Sequence, residues 1–156
     1  MATTYVSTKA ATGVQPRLDV HDDTLYCEFD IAAAVGTAAN GGGGAGGTAF
    51  VINDVVQMVK VCAGTRVVGC VLSCDALESN AAIVTAVGDG DDDDRFITGA
   101  TIGRSSASGV ANLNNHAGLI WQYTTDDTID FKVTTAGTAG QATTGKIRLS
   151  VRVTAQ

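Results

Sequence analysis

Four cysteines are the residues of this 156-residue sequence with the most distinctive potential chemistry. They are Cys27, Cys62, Cys70 and Cys74. No two of them form a CxxC pair, and the chain has only 2 histidines, so the spacing does not predict a zinc site. If Cys70 and Cys74 share an extended strand, their Cα atoms lie about 13 Å apart at ~3.3 Å per residue. A disulfide needs Cα atoms within about 7 Å, so these two are not expected to pair with each other.

Two interpretations of the thiols remain open. In the first, all four stay reduced, and Cys27, Cys70 and Cys74 pack as small hydrophobic residues. In the second, exposed thiols form inter-subunit disulfides once the protein reaches an oxidising environment. Cys62 is the first candidate for such a cross-link because it sits beside a predicted turn, where we expect it to be exposed. Cys70 and Cys74 are the second choice, and Cys27 is expected to remain a buried thiol.

An acidic run at residues 89–94 contains five of the 16 acidic residues and is a candidate calcium site, because Ca²⁺ prefers several hard oxygen ligands. The EF-hand loop needs glycine at its sixth position and glutamate at its twelfth, where this run has Asp94 and Ala100. We therefore predict a solvated acidic turn, with Arg95 offsetting part of the charge, and keep calcium as the minor alternative. Its candidate ligands are Asp89, Asp91 and Asp93.

Two aromatic residues, Trp121 and Tyr123, share one face of a predicted strand at 119–125. Aromatic rings on one face can stack on a sugar ring, as in carbohydrate-binding β-sandwiches. Because the chain has 1 Trp and 3 Tyr, and such rings bury a large area, packing in the core or at an interface is the favoured alternative.

Sequence motifs of enzymes and of cofactor sites do not assemble in this chain. The glycine run 41–46 matches GxGxxG in composition, but the residues after it predict a strand, whereas nucleotide binding needs a helix there. The serines near residue 105 lack the second glycine of a nucleophile elbow, and neither histidine lies in a motif that makes it a general base. We predict a protein that is not an enzyme and has no cofactor.

Hydrophobic alternation with period two predicts the fold class. The clearest strand is the last, where apolar residues 147, 149, 151 and 153 alternate with polar neighbours. Further strands are predicted at 5–6, 25–31, 50–61, 66–74, 82–87, 119–125 and 128–134, and the last three strands are expected to form an antiparallel meander. The chain therefore predicts an all-β antiparallel β-sandwich, a jelly roll, in one domain spanning 1–156. Residues 1–20 are expected to form an N-terminal arm, residues 36–47 a flexible Gly-rich loop, and 102–118 an irregular stretch.

Charge and hydropathy exclude two classes of partner. The formal net charge is −6 and the pI is about 4.6, which argues against nucleic acid and against an anionic membrane surface. No stretch approaches the ~18 consecutive apolar residues that span a bilayer, and the first residues lack the apolar core of a signal peptide. We expect a chain that is made and folded in a cytoplasm.

Four sequence blocks resemble small structural proteins of tailed-phage virions. Residues 50–69 contain a V-x-A-G-T-R-V turn, residues 77–80 read LESN, residues 87–97 contain a GDGDDxDRFI loop, and residues 123–133 match a late YTxDDTIDxKV strand. The similarity covers roughly residues 24–154 in order. These motifs are turn and strand signatures without catalytic meaning.

The resemblance implies a jelly-roll decoration or collar protein on the virion surface, assembled in the host cytoplasm. It implies a homo-oligomer, with a trimer as one option, that contacts the major capsid protein. A neck, collar or tail component and a carbohydrate-binding adhesin module remain as alternatives. The cysteines depart from the pattern of this group, and this departure favours cross-linking between subunits.

Overall fold

The computed structural model describes residues 4–7, 23–32, 50–137 and 142–155. Most of the predicted N-terminal arm (1–20) and all of the predicted Gly-rich loop (36–47) lie outside these residues. No helix in the described part of the chain is long and apolar enough to cross a bilayer. The strands are β1 (Thr4–Val6), β2 (Asp23–Asp30), β3 (Val55–Val61), β4 (Thr65–Cys74), β5 (Val84–Gly88), β6 (Ile97–Ala100), β7 (Gly109–Asn112), β8 (Asp127–Thr135) and β9 (Lys146–Ala155), with a 3₁₀ helix at His116–Gly118.

The strands form two sheets. One is antiparallel with the order β2-β9-β4-β7, and the other has the order β1-β3-β8-β5-β6, in which only β1 is parallel to its neighbour. Without β1, the eight strands β2 to β9 are divided equally, and the first and the last of them lie side by side. This is the arrangement of a jelly roll. The prediction of an all-β jelly-roll sandwich is confirmed.

The core lies between the two sheets and comes from the apolar face of each alternating strand. On β9, Ile147, Leu149 and Val151 are fully buried, and on β8 the same holds for Ile129, Phe131 and Val133. Burying a side chain of this size stabilises the fold by about 1.5–3 kcal/mol. The two central strands, β9 and β8, therefore supply much of the hydrophobic stabilisation.

The predicted meander of the last three strands is wrong. β8 and β9 lie in different sheets, and residues 119–125 do not form a strand but contact β4 through one isolated bridge, between Arg66 and Gln122. Alternation specifies which face of a strand is buried, but it does not specify which sheet the strand joins. Crossing between the sheets is what a jelly roll requires of this connection.

Other parts of the prediction also differ from the structure, and β6 (Ile97–Ala100) was not predicted as a strand. β3 begins at Val55, because residues 51–54 form a turn in which Asn53 has a φ of 69° and the Asp54 carboxylate accepts a hydrogen bond from the backbone of Val51. The stretch 102–118, predicted to be irregular, contains β7 and the 3₁₀ helix. Short polar segments of this kind become strands through pairing with a neighbour, and periodicity does not reveal that pairing.

Candidate functional site

The acidic run after β5 folds around a buried ion pair. Asp89 is 3% exposed, and its Oδ2 lies 2.6 Å from Nε of Arg95, which is 7% exposed. The other oxygen, Oδ1, accepts hydrogen bonds from the backbone N–H groups of Asp91 and Asp92 at 3.2 and 3.0 Å. The prediction of a solvated turn is wrong for Asp89 and Arg95. Asp89 and Arg95 are six positions apart in the sequence. The arginine directly after the acidic run was therefore the sequence feature that could have indicated the ion pair.

A glycine permits the tight return of this run. A Cβ on Gly88 would lie 2.0 Å from the carbonyl oxygen of Asp92, a distance that no side chain tolerates. The chain therefore folds directly back on the end of β5. Glycine is the residue that allows such a close backbone approach.

Tyr123 joins the ion pair from another part of the chain. Its hydroxyl donates to Oδ2 of Asp89 at 3.1 Å, and its ring is buried at 4% exposed. Burial, followed by the charge of Asp89, raises the pKa of Tyr123, so the phenol stays a neutral donor. The contact links the β5–β6 connection to the segment that runs beside β4.

Three further carboxylates of the run, those of Asp92, Asp93 and Asp94, bind protein groups. Asp93 pairs with Lys132 of β8, and Asp94 accepts a hydrogen bond from the Thr98 hydroxyl at 2.6 Å. Asp92 lies 3.8 Å from Nη1 of Arg95. Across the described residues, no group of three or more His, Cys, Asp or Glu side chains is placed to hold a metal ion. This geometry is that of a structural ion-pair network.

Trp121 lies on the outer side of the same network. The Arg95 guanidinium sits 3.7 Å from the centre of the Trp121 ring, which is the geometry of a cation–π contact. One face of the indole is therefore covered, and the residue remains 37% exposed. Tyr123 is buried and binds Asp89, in keeping with the favoured packing role, so the two rings do not form one open face. Stacking on a sugar stays a prediction.

Residues 119–121, here named the apolar loop, expose three consecutive large hydrophobic side chains. Leu119 is 44% exposed, Ile120 is 62% exposed, and Trp121 completes the group. Contiguous exposed apolar surface marks an interaction site more often than scattered single residues do. On the outer face of the four-stranded sheet, by contrast, exposed Tyr26 and Val71 are separated in register by Ser150.

The backbone of the apolar loop is held in an unfavourable conformation. Ile120 has a φ of 61°, in the left-handed region, where a β-branched residue is a clear outlier. Such a conformation costs about 1–3 kcal/mol and persists only where the surroundings impose it. Here the Trp121 N–H donates to the Gly118 carbonyl at 3.2 Å, and the Trp121 carbonyl accepts from Val67 of β4 at 2.8 Å.

Contacts at Gly118 and Asn115 fix the base of the apolar loop to the acidic run. A Cβ on Gly118 would lie 2.1 Å from the carbonyl oxygen of Arg95, so this position requires glycine for close approach. The Asn115 side chain donates from Nδ2 to the Asp94 carbonyl at 2.8 Å. The apolar loop and the acidic run therefore form one tightly connected unit.

All four cysteines are buried, and none of them forms a disulfide within the described chain. Cys27 is 1% exposed, Cys62 8%, Cys70 2% and Cys74 1%. The expectation that Cys62 is exposed is wrong, because its Sγ lies 3.5 Å from the Thr65 hydroxyl inside the turn. Burial raises the pKa of Cys70 to about 12, and burial followed by the charge of Asp75 does the same for Cys74. A raised thiol pKa lowers the thiolate fraction and hence the reactivity.

We expect the native protein to react slowly with a thiol reagent. All four sulfurs need a local or global opening to reach solvent, and Cys62, as the most exposed, is expected to react first. The check is a time course with a chromogenic disulfide reagent, with and without denaturant. Unfolded protein should release four equivalents of the coloured product at once. Rapid reaction of several thiols in the native protein would contradict the observed burial.

No protein-family model and no curated protein matches this sequence. Solved structures with a similar fold come from phage capsids. A chain in the capsid of Ralstonia phage GP4 is 18% identical, with 98% of each chain covered and a TM-score of 0.71. A chain in the capsid asymmetric unit of cyanophage Pam1 is 19% identical, with 87% of this chain and 86% of that chain covered and a TM-score of 0.66.

A third similar chain comes from the acid-stable capsid of the Helicobacter pylori bacteriophage KHP30, with 15% identity and a TM-score of 0.53. The structural match covers 85% of this chain and 86% of the KHP30 chain. At these identities the similarity establishes the fold. The chain thus shares its fold, over most or all of its length, with chains of three phage capsids, and the resemblance to virion structural proteins is confirmed at that level.

Proposed function

We propose that this protein is a structural component of a phage virion and that it decorates the capsid. The observation that carries the proposal is the fold match to a chain of the GP4 capsid over 98% of both chains. The whole fold, and not a shared fragment of it, is what the two chains have in common.

The chemistry of the described residues supports a structural role. Asp89, Arg95 and Tyr123 satisfy one another, and the thiols are buried with raised pKa values at Cys70 and Cys74. Groups that catalyse reactions need access to a substrate and a pKa suited to proton transfer. The apolar loop, by contrast, exposes three consecutive hydrophobic side chains, as a binding surface does.

The proposed partners are the major capsid protein and further copies of this chain, and the proposed location is the virion surface. A neck, collar or tail position is the alternative that the same fold allows. The carbohydrate-binding alternative has less support, because Tyr123 is buried and Arg95 covers one face of Trp121. Decoration of the head is favoured because the similar chains all come from capsids.

Inter-subunit disulfides through Cys62, Cys70 or Cys74 stay a prediction, and the burial of all four thiols argues against them. The decoration role does not depend on cross-links, since a β-sandwich of this size is stabilised by its own core. Particles denatured without reductant, with free thiols blocked, distinguish the two cases. Covalent dimers that collapse to monomers on reduction would support cross-linking, and monomers alone would eliminate it.

Binding to empty shells tests the proposed role. Recombinant protein is mixed with shells assembled from the major capsid protein of the phage that carries this gene, and the mixture is sedimented. We expect saturable co-sedimentation at a fixed ratio to the shell protein, and a higher melting temperature of the shell, because a ligand that binds only the assembled state stabilises it. Absence of the chain from the sedimented shells would contradict decoration.

A further inference from the structure

We propose that the apolar loop inserts into an apolar pocket of a different protein, and that lysine or arginine side chains border this pocket. The inference rests on the proposed function, under which that protein is the capsid shell protein. It adds the contact residues and the chemistry of the partner surface. Three observations carry it: the conformation of the loop, the charge beside it, and its size.

The conformation of the loop favours an external partner. Ile120 is the most exposed of the three side chains, and its φ of 61° turns it outward at a cost in stability. The contacts of Gly118 and Val67 hold this conformation without burying the side chain. An anchor residue that is already fixed in place loses little conformational entropy when it binds.

The charge beside the loop indicates the rim of the partner's pocket. Arg95 contacts both the Trp121 ring and the carboxylates of Asp89 and Asp92, which places the acidic run directly next to the loop. Arg95 and Lys132 offset two of the five carboxylates in residues 89–94, and Asp91 is exposed. The solvent side of this region is therefore negative, and a basic rim is the complementary surface.

The size of the loop and its charge argue against a second copy of this chain as the occupant. Three partly exposed side chains offer a few hundred Å² at most, whereas a stable interface buries roughly 800 Å² on each partner. Two loops facing each other would bury only this small area and would bring two acidic runs together in a chain of net charge −6, whereas a shell protein can also contact the surface around the loop. A concave partner buries the same side chains more completely.

The test compares shell binding by three proteins: wild type, Ile120→Asn and Ile52→Asn. Asparagine tolerates the left-handed region, so Ile120→Asn should keep or raise the melting temperature while weakening shell binding at least tenfold. Ile52 is 51% exposed and lies outside the apolar loop, which makes Ile52→Asn the matched control with unchanged binding. A purely structural role for Ile120 would not separate stability from binding in this way.

Charge is tested with Asp91→Lys against Asp23→Lys, two exposed carboxylates of which only the first lies in the acidic run. We expect wild-type binding to weaken with added salt and Asp91→Lys to bind several-fold more weakly, while Asp23→Lys binds as wild type does. Equal binding by Asp91→Lys and wild type would overturn the basic rim.

The outcomes separate this inference from the proposed function. If wild type binds shells and Ile120→Asn binds equally well, the docking inference falls while decoration stands. If wild type does not bind shells, decoration falls, and the inference that rests on it falls as well. If light scattering shows oligomers of the wild type that Ile120→Asn abolishes, the occupant is a second copy, and the proposed partner is wrong.

Discussion

Replacing Asp89 with asparagine is expected to lower the free energy of unfolding by about 3–5 kcal/mol, because the variant leaves a buried guanidinium without its closest counter-charge and with only the more exposed Asp92 at 3.8 Å. Arg95 is nearly inaccessible, and its Nε lies 2.6 Å from Oδ2 of Asp89. Asparagine has one acceptor oxygen where Asp89 uses two. Its NH₂ group must therefore face either Arg95 and Tyr123 or the backbone N–H groups of Asp91 and Asp92, which places donor against donor.

Urea and thermal unfolding measure this effect, and a loss of this size lowers the melting temperature by roughly 6–20 °C for a domain of this length. Asp91→Asn is the control, because its carboxylate is exposed and lies in the same run. In an Arg95→Met background, Asp89→Asn should cost much less, since the unpaired charge is then absent. Equal losses in both backgrounds would contradict the role of the ion pair.

Stability is expected to fall as pH rises from about 4 to about 7, through the titration of Asp130. This residue lies on β8 opposite Gly88, is 8% exposed, and has an Oδ1 without a hydrogen-bond partner. Burial raises the pKa of Asp130 to about 7; the Thr128 hydroxyl lowers it, and the charges of Asp127, Asp89 and Asp93 raise it further. Between these two pH values the Asp130 carboxyl group is therefore protonated in the folded state and ionised in the unfolded state, where its pKa is the ordinary 3.8.

A raised folded-state pKa contributes stability that is fully present below the unfolded pKa and is lost as pH rises through the folded pKa. The difference between the folded and unfolded pKa of Asp130 corresponds to about 4 kcal/mol of unfolding free energy at most. Asp130→Asn should therefore equal wild type near pH 4 and exceed its stability by a few kcal/mol at pH 8, while Asp91→Asn follows wild type. Denaturant midpoints across this pH range measure the difference, and parallel curves for wild type and Asp130→Asn would contradict the assignment.

The sandwich could be predicted from sequence where alternation was regular. β2 and β9 alternate over eight and ten residues, and their register pairs Cys27 with Leu149 and Phe29 with Ile147 on the buried face. A one-residue shift would expose all of these side chains, so the pattern determines the register. The same argument placed Cys27 in the core, where it is 1% exposed.

The candidate site was less predictable because its contacts are long-range. The Tyr123 hydroxyl reaches Asp89 across 34 positions, and nothing in an acidic run distinguishes the one buried carboxylate from its exposed neighbours. Ile120 fits a strand pattern in sequence, whereas in the structure its backbone has a φ of 61°, between backbone hydrogen bonds of Trp121 to Gly118 and to Val67 that the sequence does not reveal. Cys62 was misplaced because a turn position usually faces solvent, whereas its sulfur lies against Thr65 within the turn.

Quantitative mass spectrometry of purified, intact phage particles is the most direct test of the proposal that this protein decorates a capsid. The particles come from the phage that carries this gene, and heavy-isotope peptides of this chain and of the major capsid protein provide the calibration. We predict that this chain is present in a copy number comparable to that of the shell protein. Its absence from particles that contain a full complement of shell protein would contradict the proposed function.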